Sequence, residues 1–374
     1  MKFIDLNKQY HKIKEQIDRD VLNTLQKGDF ILGENVRILE QKLAKYVGVK
    51  ECITCASGTD ALQIPLMAYG IGKGDAVFTT NFSYFATTEV ISLVGATPVF
   101  VDINNRTFNI DPDLLESQII ETLESNSIKP KAIIAVDLFG QLAQYHKIEK
   151  IAKKYNLILI EDAAQSFGAS YNGKKSCSFG DVAATSFFPA KPLGCYGDGG
   201  AIFTNDSSIA DLCKSIRVHG KGEDKYDNVR IGLNSRLDTI QASILLNKLT
   251  IFDEEIKSRN NVAKKYTNLL ENVFITPHIE NNNISSWAQY SMLASNSLER
   301  DKIMNYLNSK GVPTAIYYKK LFSELDFYSS DLEKKYPISE NIKDRIFSIP
   351  MHPYLEDSEI KIITDNIMKF FNNE

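Results

Sequence analysis

The sequence predicts an α/β fold with a mostly parallel central sheet between helices, followed by a smaller C-terminal α+β domain. Short apolar segments alternate regularly with helical segments through the first half of the chain. Connections of this length join parallel strands through a helix that packs on the sheet. After Lys191 the alternation stops, and prolines interrupt the later helical segments. We therefore expect a large domain over residues 1–245 and a smaller one over 246–374.

The chain opens with an amphipathic helix, because apolar side chains recur at helical spacing from Tyr10 to Leu25. Gly28 and Gly33 end this helix, and a second one is predicted over Asn35 to Val47. Short apolar strands follow, at 51–56, 75–80, 97–101, 131–137 and 157–161. Helices are predicted between them, at 59–69, 84–94, 111–124 and 144–155.

Beyond Lys191 the sequence predicts a strand at 201–204 and a helix at 209–218. One long helix is predicted from Arg236 to about Arg259. The remaining residues read as helices and a few strands separated by prolines, which is the pattern of the smaller domain.

The composition is that of a soluble globular protein, with 43% hydrophobic and 24% charged residues among 374. A formal net charge of −4 argues against nucleic-acid binding. The five cysteines form no disulfide framework or zinc-ligand pattern, so we expect no metal site. No apolar run is long enough to cross a bilayer, and the N-terminus carries no apolar signal region, so we expect a cytoplasmic location.

Lys191 lies in a loop that combines aromatic, proline and glycine residues. Phe187 and Phe188 precede it, Pro192 follows it, and Gly197-Asp-Gly-Gly200 ends the segment. Proline disfavours a helical conformation at the residue before it, and apolar neighbours reduce the tendency of an amine to stay protonated. These features favour a lysine that forms a Schiff base with a carbonyl compound, although most lysines are solvated surface charges.

Asp162 ends an apolar strand, directly after Glu161. A buried carboxylate needs a partner, which can be a protonated ring nitrogen of a cofactor or a basic side chain. The residues alone favour neither.

Three further segments follow predicted strands and should converge at the carboxyl edge of the sheet. Gly58 and Thr59 begin a helix whose N-terminus can bind an anion or can simply be capped. Tyr84 can stack on a flat ring or pack in the core. Ser186 can bind an anion or remain a surface serine.

Together these segments resemble the DegT/DnrJ/EryC-type nucleotide-sugar aminotransferases, which are fold-type I enzymes dependent on pyridoxal 5′-phosphate (PLP). The resemblance spans nearly the whole chain, from Phe3-Ile-Asp-Leu-Asn to Ile349-Pro-Met-His-Pro. It includes Glu161-Asp-Ala-Ala-Gln165 and Gly232-Leu-Asn-Ser-Arg236.

The resemblance implies a role for each matching residue. Lys191 bonds to PLP and moves the proton, and Asp162 pairs with the pyridinium nitrogen. The implied phosphate ligands are Gly58, Thr59, Ser186 and, from a partner subunit, Asn234. Tyr84 stacks on the ring and Gln165 contacts its hydroxyl. Arg236 is implied on the substrate side, also across the dimer, and Tyr317 and Tyr318 line the sugar site, where core packing is the other interpretation.

The implied reaction moves an amino group from L-glutamate to a keto group of a nucleotide-diphosphate sugar, for bacterial surface glycans such as lipopolysaccharide. The stretch Lys191-Pro-Leu-Gly-Cys-Tyr-Gly-Asp-Gly-Gly200 resembles members that act on 3-keto sugars. Two alternatives stay open: a 4-keto-sugar aminotransferase, and a non-catalytic regulatory protein on the same fold. The implied assembly is a homodimer with shared active sites.

Overall fold

The fold is described from a computed structural model that covers residues 1–224, 226–331 and 335–372. Three helices open the chain: α1 Leu6–Lys12, α2 Lys14–Lys27 and α3 Glu34–Val47. The predicted opening helix is therefore two helices, which meet at Ile13. Ile13 and Ile17 are buried against Ile244, which is why the apolar spacing continues across the break.

Strands and helices then alternate close to the predicted positions. The strands are β1 Glu51–Cys55, β2 Asp75–Thr80, β3 Thr97–Val101, β4 Lys129–Val136 and β5 Ile158–Asp162. The helices between them are α4 Gly58–Ala68, α5 Ala86–Leu93, α6 Pro112–Ser125 and α7 Tyr145–Lys154. The α/β fold class is thereby confirmed.

The short strands β6 Ser170–Tyr171 and β7 Lys174–Lys175 pair with each other outside the main sheet. Strands β8 Val182–Ser186 and β9 Gly200–Thr204 complete the main sheet, and helix α8 Ser207–Ile216 follows. The strand order is β1-β9-β8-β5-β4-β2-β3, and β9 alone among these seven runs antiparallel to its neighbours. The carboxyl ends of the other six strands therefore lie at one edge of the sheet, where ligands collect in this kind of fold.

The sheet is buried on both faces, as a parallel sheet between helices requires. Along β2, Val77 packs in one core cluster, whereas Ala76 and Phe78 pack in the cluster on the opposite face. Strand β4 alternates in the same way, with Ile134 on the first face and Ile133 on the second. This two-sided burial explains why the strands read as continuous apolar runs in the sequence.

The long helix predicted from Arg236 to Arg259 is wrong. Two helices occupy this region, α9 Thr239–Leu249 and α10 Phe252–Leu270. The Thr250 hydroxyl donates to the Asn247 carbonyl at 2.6 Å, and the backbone amide of Ile251 donates to the Lys248 carbonyl at 3.2 Å. These bonds end α9 in a tight turn, and no glycine or proline marks the break.

Strand β10 Asn283–Ile284 pairs with β6. A second core is formed by α10, β11 Tyr290–Leu293, α11 Ser297–Ser309, β12 Ile346–Ile349 and α13 Asp357–Asn372. Helix α12 Pro337–Arg345 packs through Ile342 in another cluster. Tyr266 of α10, Phe347 and Ile363 are fully buried in the second core. Position 245, by contrast, lies inside α9, where Leu245 packs with the large domain. The division at 245 stays a prediction, and residues 332–334 and 373–374 of the proposed second domain lie outside the described residues.

Candidate active site

Asp162 is a buried carboxylate at the carboxyl end of β5, with 4% of its surface exposed. It accepts hydrogen bonds from the Thr87 hydroxyl at 2.8 Å and from the Ala164 amide at 3.2 Å. Burial raises the pKa of this carboxyl, while these two donors and the charge of Lys191 oppose that shift. In the described ranges, no ion pair joins Asp162 to an arginine or lysine. The carboxylate therefore lacks a direct basic partner there, and a cationic ring nitrogen fits the site.

Lys191 lies in a loop that follows β8. Its backbone amide donates to the Phe188 carbonyl at 2.9 Å, which closes a tight turn. Burial lowers the pKa of the Lys191 amine, and the charge of Asp162 raises it. The charge of each side chain thus acts on the pKa of the other. A lysine with a lowered pKa has more of the neutral, nucleophilic amine at neutral pH.

The N-terminus of α4 lies directly against Ser186. A Cβ added at Gly58 would lie 2.5 Å from the Ser186 Cβ, so only glycine fits there. Ser57 caps the helix by accepting from the Asp60 amide at 3.1 Å. Gly58 and Thr59, at the first helical positions, have no carbonyl partner within the helix for their amides. Capping and anion binding are thus compatible here, and the cradle suits a phosphate.

The aromatic residues after β2 fall into two groups, those that pack in the core and one that is exposed. Phe82 is fully buried, and Phe85 packs edge-on against Phe322, so both serve the core. Tyr84 is 58% exposed, and its ring centroid lies 6.3 Å from that of Tyr318. Tyr84 is therefore available to stack on a ligand.

Gln165 links the site to the segment around Tyr318. Its amide nitrogen donates to the Tyr318 hydroxyl at 3.1 Å, and its amide oxygen accepts from the Phe139 amide at 2.7 Å. The side chain is thereby fixed with one N–H left to reach a ligand. Tyr317 is half-buried, and its ring centroid lies 6.4 Å from that of Phe3. Tyr318 thus lies beside Gln165 at the candidate site, and Tyr317 packs against Phe3.

Asn234 and Arg236 line one cleft, together with Ala56, Gly197 and Asp198. Asn234 is exposed and Arg236 is half-buried. This placement agrees with residues that serve the site of another subunit.

Thr87 is the contact that sequence reasoning missed. It lies in the first turn of α5 and donates to Asp162, although 75 positions separate the two residues. The sequence carries no signal for this contact, because it depends on where β2 and β5 lie in the sheet.

A second pair of buried carboxyls lies behind Asp162. Asp137, whose amide donates to the Asp162 carbonyl at 3.1 Å, accepts from the Ser166 hydroxyl at 2.7 Å. Glu161 accepts from the backbone amides of Cys177 and Phe179 at 2.7 and 2.8 Å. Burial, followed by their mutual repulsion, raises the pKa of Glu161, and burial raises that of Asp137 to about 7. Two such carboxyls cannot both ionise easily, so the pair retains a proton.

We expect Asp137→Asn to reduce the decrease in the free energy of unfolding that accompanies rising pH. The folded pKa lies above the unfolded value of about 4, so the folded state binds more protons and stability falls as pH rises from about 4 towards 7. Removing one carboxyl reduces that loss. The melting temperature of the variant minus that of wild type should therefore rise as the pH increases from 5 to 8. Parallel melting curves across that range would contradict the expectation, and the exposed Asp365→Asn serves as control.

Neither a metal cluster nor a membrane span is found in the part of the chain that the structure describes. No group of three His, Cys, Asp or Glu side chains there could hold a metal ion. No helix there is long and apolar enough to cross a bilayer. The five cysteines are free and buried, and Cys52 and Cys55 pack in clusters on opposite faces of the sheet.

Comparison with known sequences identifies close relatives. The model of the DegT/DnrJ/EryC1/StrS aminotransferase family matches residues 11–368. A UDP-2-acetamido-2-deoxy-3-oxo-D-glucuronate aminotransferase from Pseudomonas aeruginosa is 50% identical over 364 residues, which cover 97% of this chain and 98% of that protein.

Solved structures share the fold over nearly the full length. A DegT DnrJ EryC1 StrS aminotransferase from Brucella abortus matches with a TM-score of 0.95 and 46% identity, covering 99% of both chains. NtdA from Bacillus subtilis, solved with bound cofactor PMP, matches with a TM-score of 0.88 and 27% identity, covering 99% of this chain and 83% of that one.

Proposed function

Because this chain belongs to the DegT/DnrJ/EryC1/StrS aminotransferase family, we propose that it aminates a nucleotide-diphosphate 3-keto sugar with L-glutamate as amino donor. The chain is an aminotransferase and its cofactor is PLP. The observation that carries the proposal is the buried Asp162, on which the charge of Lys191 acts and which has no ion-pair partner among the described residues. The product would enter surface glycan synthesis.

The residues of the site fit PLP. The cradle of Gly58, Thr59 and Ser186 would hold its phosphate, and Asp162 would face its ring nitrogen. Tyr84 is free to cover its ring. When bound, PLP supplies an electron sink for the carbon that gains or loses a proton.

The chain's own groups then perform the proton transfers. The Lys191 amine, kept partly neutral by burial, would take the proton from the amino-bearing carbon of the donor in the first half-reaction. In the second half-reaction its protonated form would give a proton to the former keto carbon of the sugar. Asp162 stays ionised when a cation faces it, and Thr87 holds it in place. Gln165, fixed at both ends of its amide, keeps its remaining N–H directed at the site.

The position of the keto group is supported by the relative that is 50% identical, whose name specifies a 3-oxo glucuronate. We therefore propose a UDP-linked 3-keto uronate as the first substrate to test. The experiment offers paired 3-keto and 4-keto UDP-sugars with glutamate and locates the new amine by NMR. Amine at C3 supports the proposal, whereas amine at C4 makes the protein a 4-keto-sugar aminotransferase.

The donor is tested separately. Purified protein should be yellow, and glutamate alone should shift its visible band, because the first half-reaction needs no sugar. Aspartate and alanine at equal concentration serve as controls. A shift with aspartate or alanine but not with glutamate would reject glutamate as the donor.

We propose a homodimer in which Asn234 and Arg236 complete the partner's site. Support comes from the exposed position of Asn234 in an open cleft, and from exposed apolar side chains elsewhere on the surface. Ile231 is 85% exposed and Leu93 is 63% exposed, and both line one apolar groove. Such surface is typical of an interface.

Mixed dimers test this arrangement. Lys191→Ala and the double variant Asn234→Ala with Arg236→Ala should each be inactive alone. Equal mixing with subunit exchange should restore about one quarter of wild-type activity, because half of the dimers are mixed and each holds one intact site. If the residues act within their own chain, mixing restores nothing. Size-exclusion chromatography with light scattering checks the assembly.

A further inference from the structure

The loop that carries Lys191 joins β8 to β9 and is closed at its base by the sheet. The Phe187 amide donates to the Gly199 carbonyl at 2.7 Å, and the Cys195 amide donates to the Phe187 carbonyl at 2.8 Å. These bonds fix the two ends of the loop. The segment between them carries Lys191 and depends on other contacts for its position.

Helix α9 provides those contacts from one face. Gln241 accepts from the Tyr196 amide at 2.9 Å through its side-chain oxygen. Lys248, about two turns further along, donates from its ammonium to the Gly194 carbonyl at 2.6 Å. The same ammonium lies 4.1 Å from the centroid of the Tyr196 ring. Both helix residues therefore contact the C-terminal half of the loop.

Lys248 is an unusual residue at this place. Of the described lysines it alone has no exposed surface. Burying an ammonium is costly, and an apolar side chain would fill the same space without that cost. The nearby carboxylate of Glu255 already accepts from Gln9 at 2.9 Å and from Tyr354. The direct partners of the ammonium are therefore the Gly194 carbonyl and the face of the Tyr196 ring.

The position of Gly194 is coupled to that of Lys191 through close packing. A Cβ on Gly194 would lie 2.5 Å from the Pro189 carbonyl oxygen and 2.6 Å from that of Phe188. The Phe188 carbonyl is also the acceptor for the Lys191 amide. A movement of Gly194 would therefore displace the Phe188 carbonyl and the turn that carries Lys191.

We propose that Lys248 is a positioning residue for this enzyme: its buried ammonium holds the Gly194 carbonyl and so fixes the loop that presents Lys191 to Asp162. The structural part stands on the contacts above, and its effect on turnover rests on the proposed transamination. An ammonium suits this task because a charge-assisted hydrogen bond is stronger than a neutral one.

The test compares Lys248→Met, which keeps the length and removes the charge, with the exposed Lys257→Met on α10 as matched control. Hydrogen exchange of purified protein should show amides of residues 187–199 exchanging about 10-fold faster in Lys248→Met and unchanged in Lys257→Met. If Lys248→Met is insoluble, Lys248→Gln gives the same comparison. Unchanged loop exchange in the Lys248 variant overturns the proposal.

A kinetic readout separates positioning from general destabilisation. We expect Lys248→Met to lower kcat about 10-fold with KM within about twofold, and Lys248→Arg to recover most of that loss. The pH titration of the visible band should also shift in Lys248→Met, since the band reports the surroundings of Lys191. A loss confined to the melting temperature, with kcat and band titration unchanged, overturns the proposal. A colourless wild-type protein would instead contradict the proposed function, whereas the hydrogen-exchange result would still test the positioning role of Lys248.

Discussion

Lys191→Ala is expected to lower turnover by at least ~10⁴-fold, the largest effect of any single change in this chain. The variant loses both the nucleophile and the group that transfers the proton. The visible band of the protein should change position, because the bond between the cofactor and the chain is gone. Steady-state rates with the preferred sugar and an absorbance spectrum check this expectation.

Two controls sharpen the Lys191 experiment. Lys191→Arg keeps a positive charge opposite Asp162 but has no amine of ordinary pKa, so it should be about as inactive as Lys191→Ala. Lys257→Ala, at an exposed position on α10, should behave as wild type. If Lys191→Arg retains turnover, charge alone is sufficient and the covalent role fails. If Lys191→Ala keeps a tenth of the wild-type rate, the whole assignment of the site is wrong.

Asp162→Asn is expected to lower kcat/KM by about 10²- to 10³-fold, the range for removing one charged group that stabilises a transition state. Asparagine keeps the shape of the side chain and can still accept from Thr87, but it cannot keep a ring nitrogen protonated. The cofactor should still bind through the phosphate cradle. Kinetics and the stoichiometry of bound PLP check both statements.

The same substitution should stabilise the cofactor-free protein. Burial raises the pKa of Asp162, so the folded state holds its ionised form at a cost that grows as pH rises above the unfolded value of about 4. At pH 7.5 the cofactor-free Asp162→Asn protein should melt higher than cofactor-free wild type. Thr87→Val, which leaves the carboxylate but removes its donor, should melt lower. Reversal of this order would show that Asp162 has a structural partner instead.

Much of the candidate site could be predicted because the sequence of each segment indicates its local structure. The apolar strand before Asp162, the small residues of the phosphate cradle and the Lys191-Pro192 turn all reflect local steric and burial requirements. The parallel topology then follows from the alternation of strands and helices. It brings these strand ends to one edge, which the structure confirms.

Other predictions needed information that local sequence lacks. The break between α9 and α10 has no glycine or proline. Helix α9 packs in the core of the large domain, whereas α10 begins in that core at Phe252 and continues into the second core at Tyr266. Tyr84 and Phe82 are both aromatic residues after the same strand, yet one is exposed and the other is buried. The choice depends on what the C-terminal segment around Tyr318 places against them.

The sequence by itself determined the fold class and the order of the strands along the chain, and it singled out Lys191 and Asp162 as candidate site residues. Tertiary structure decided which distant groups contact them: Thr87 donates to Asp162, and Lys248 donates to Gly194 in the Lys191 loop. The physical reason is that local steric preference and hydrophobic periodicity act over a few residues, whereas these contacts join residues far apart in sequence and exist only once the sheet has assembled.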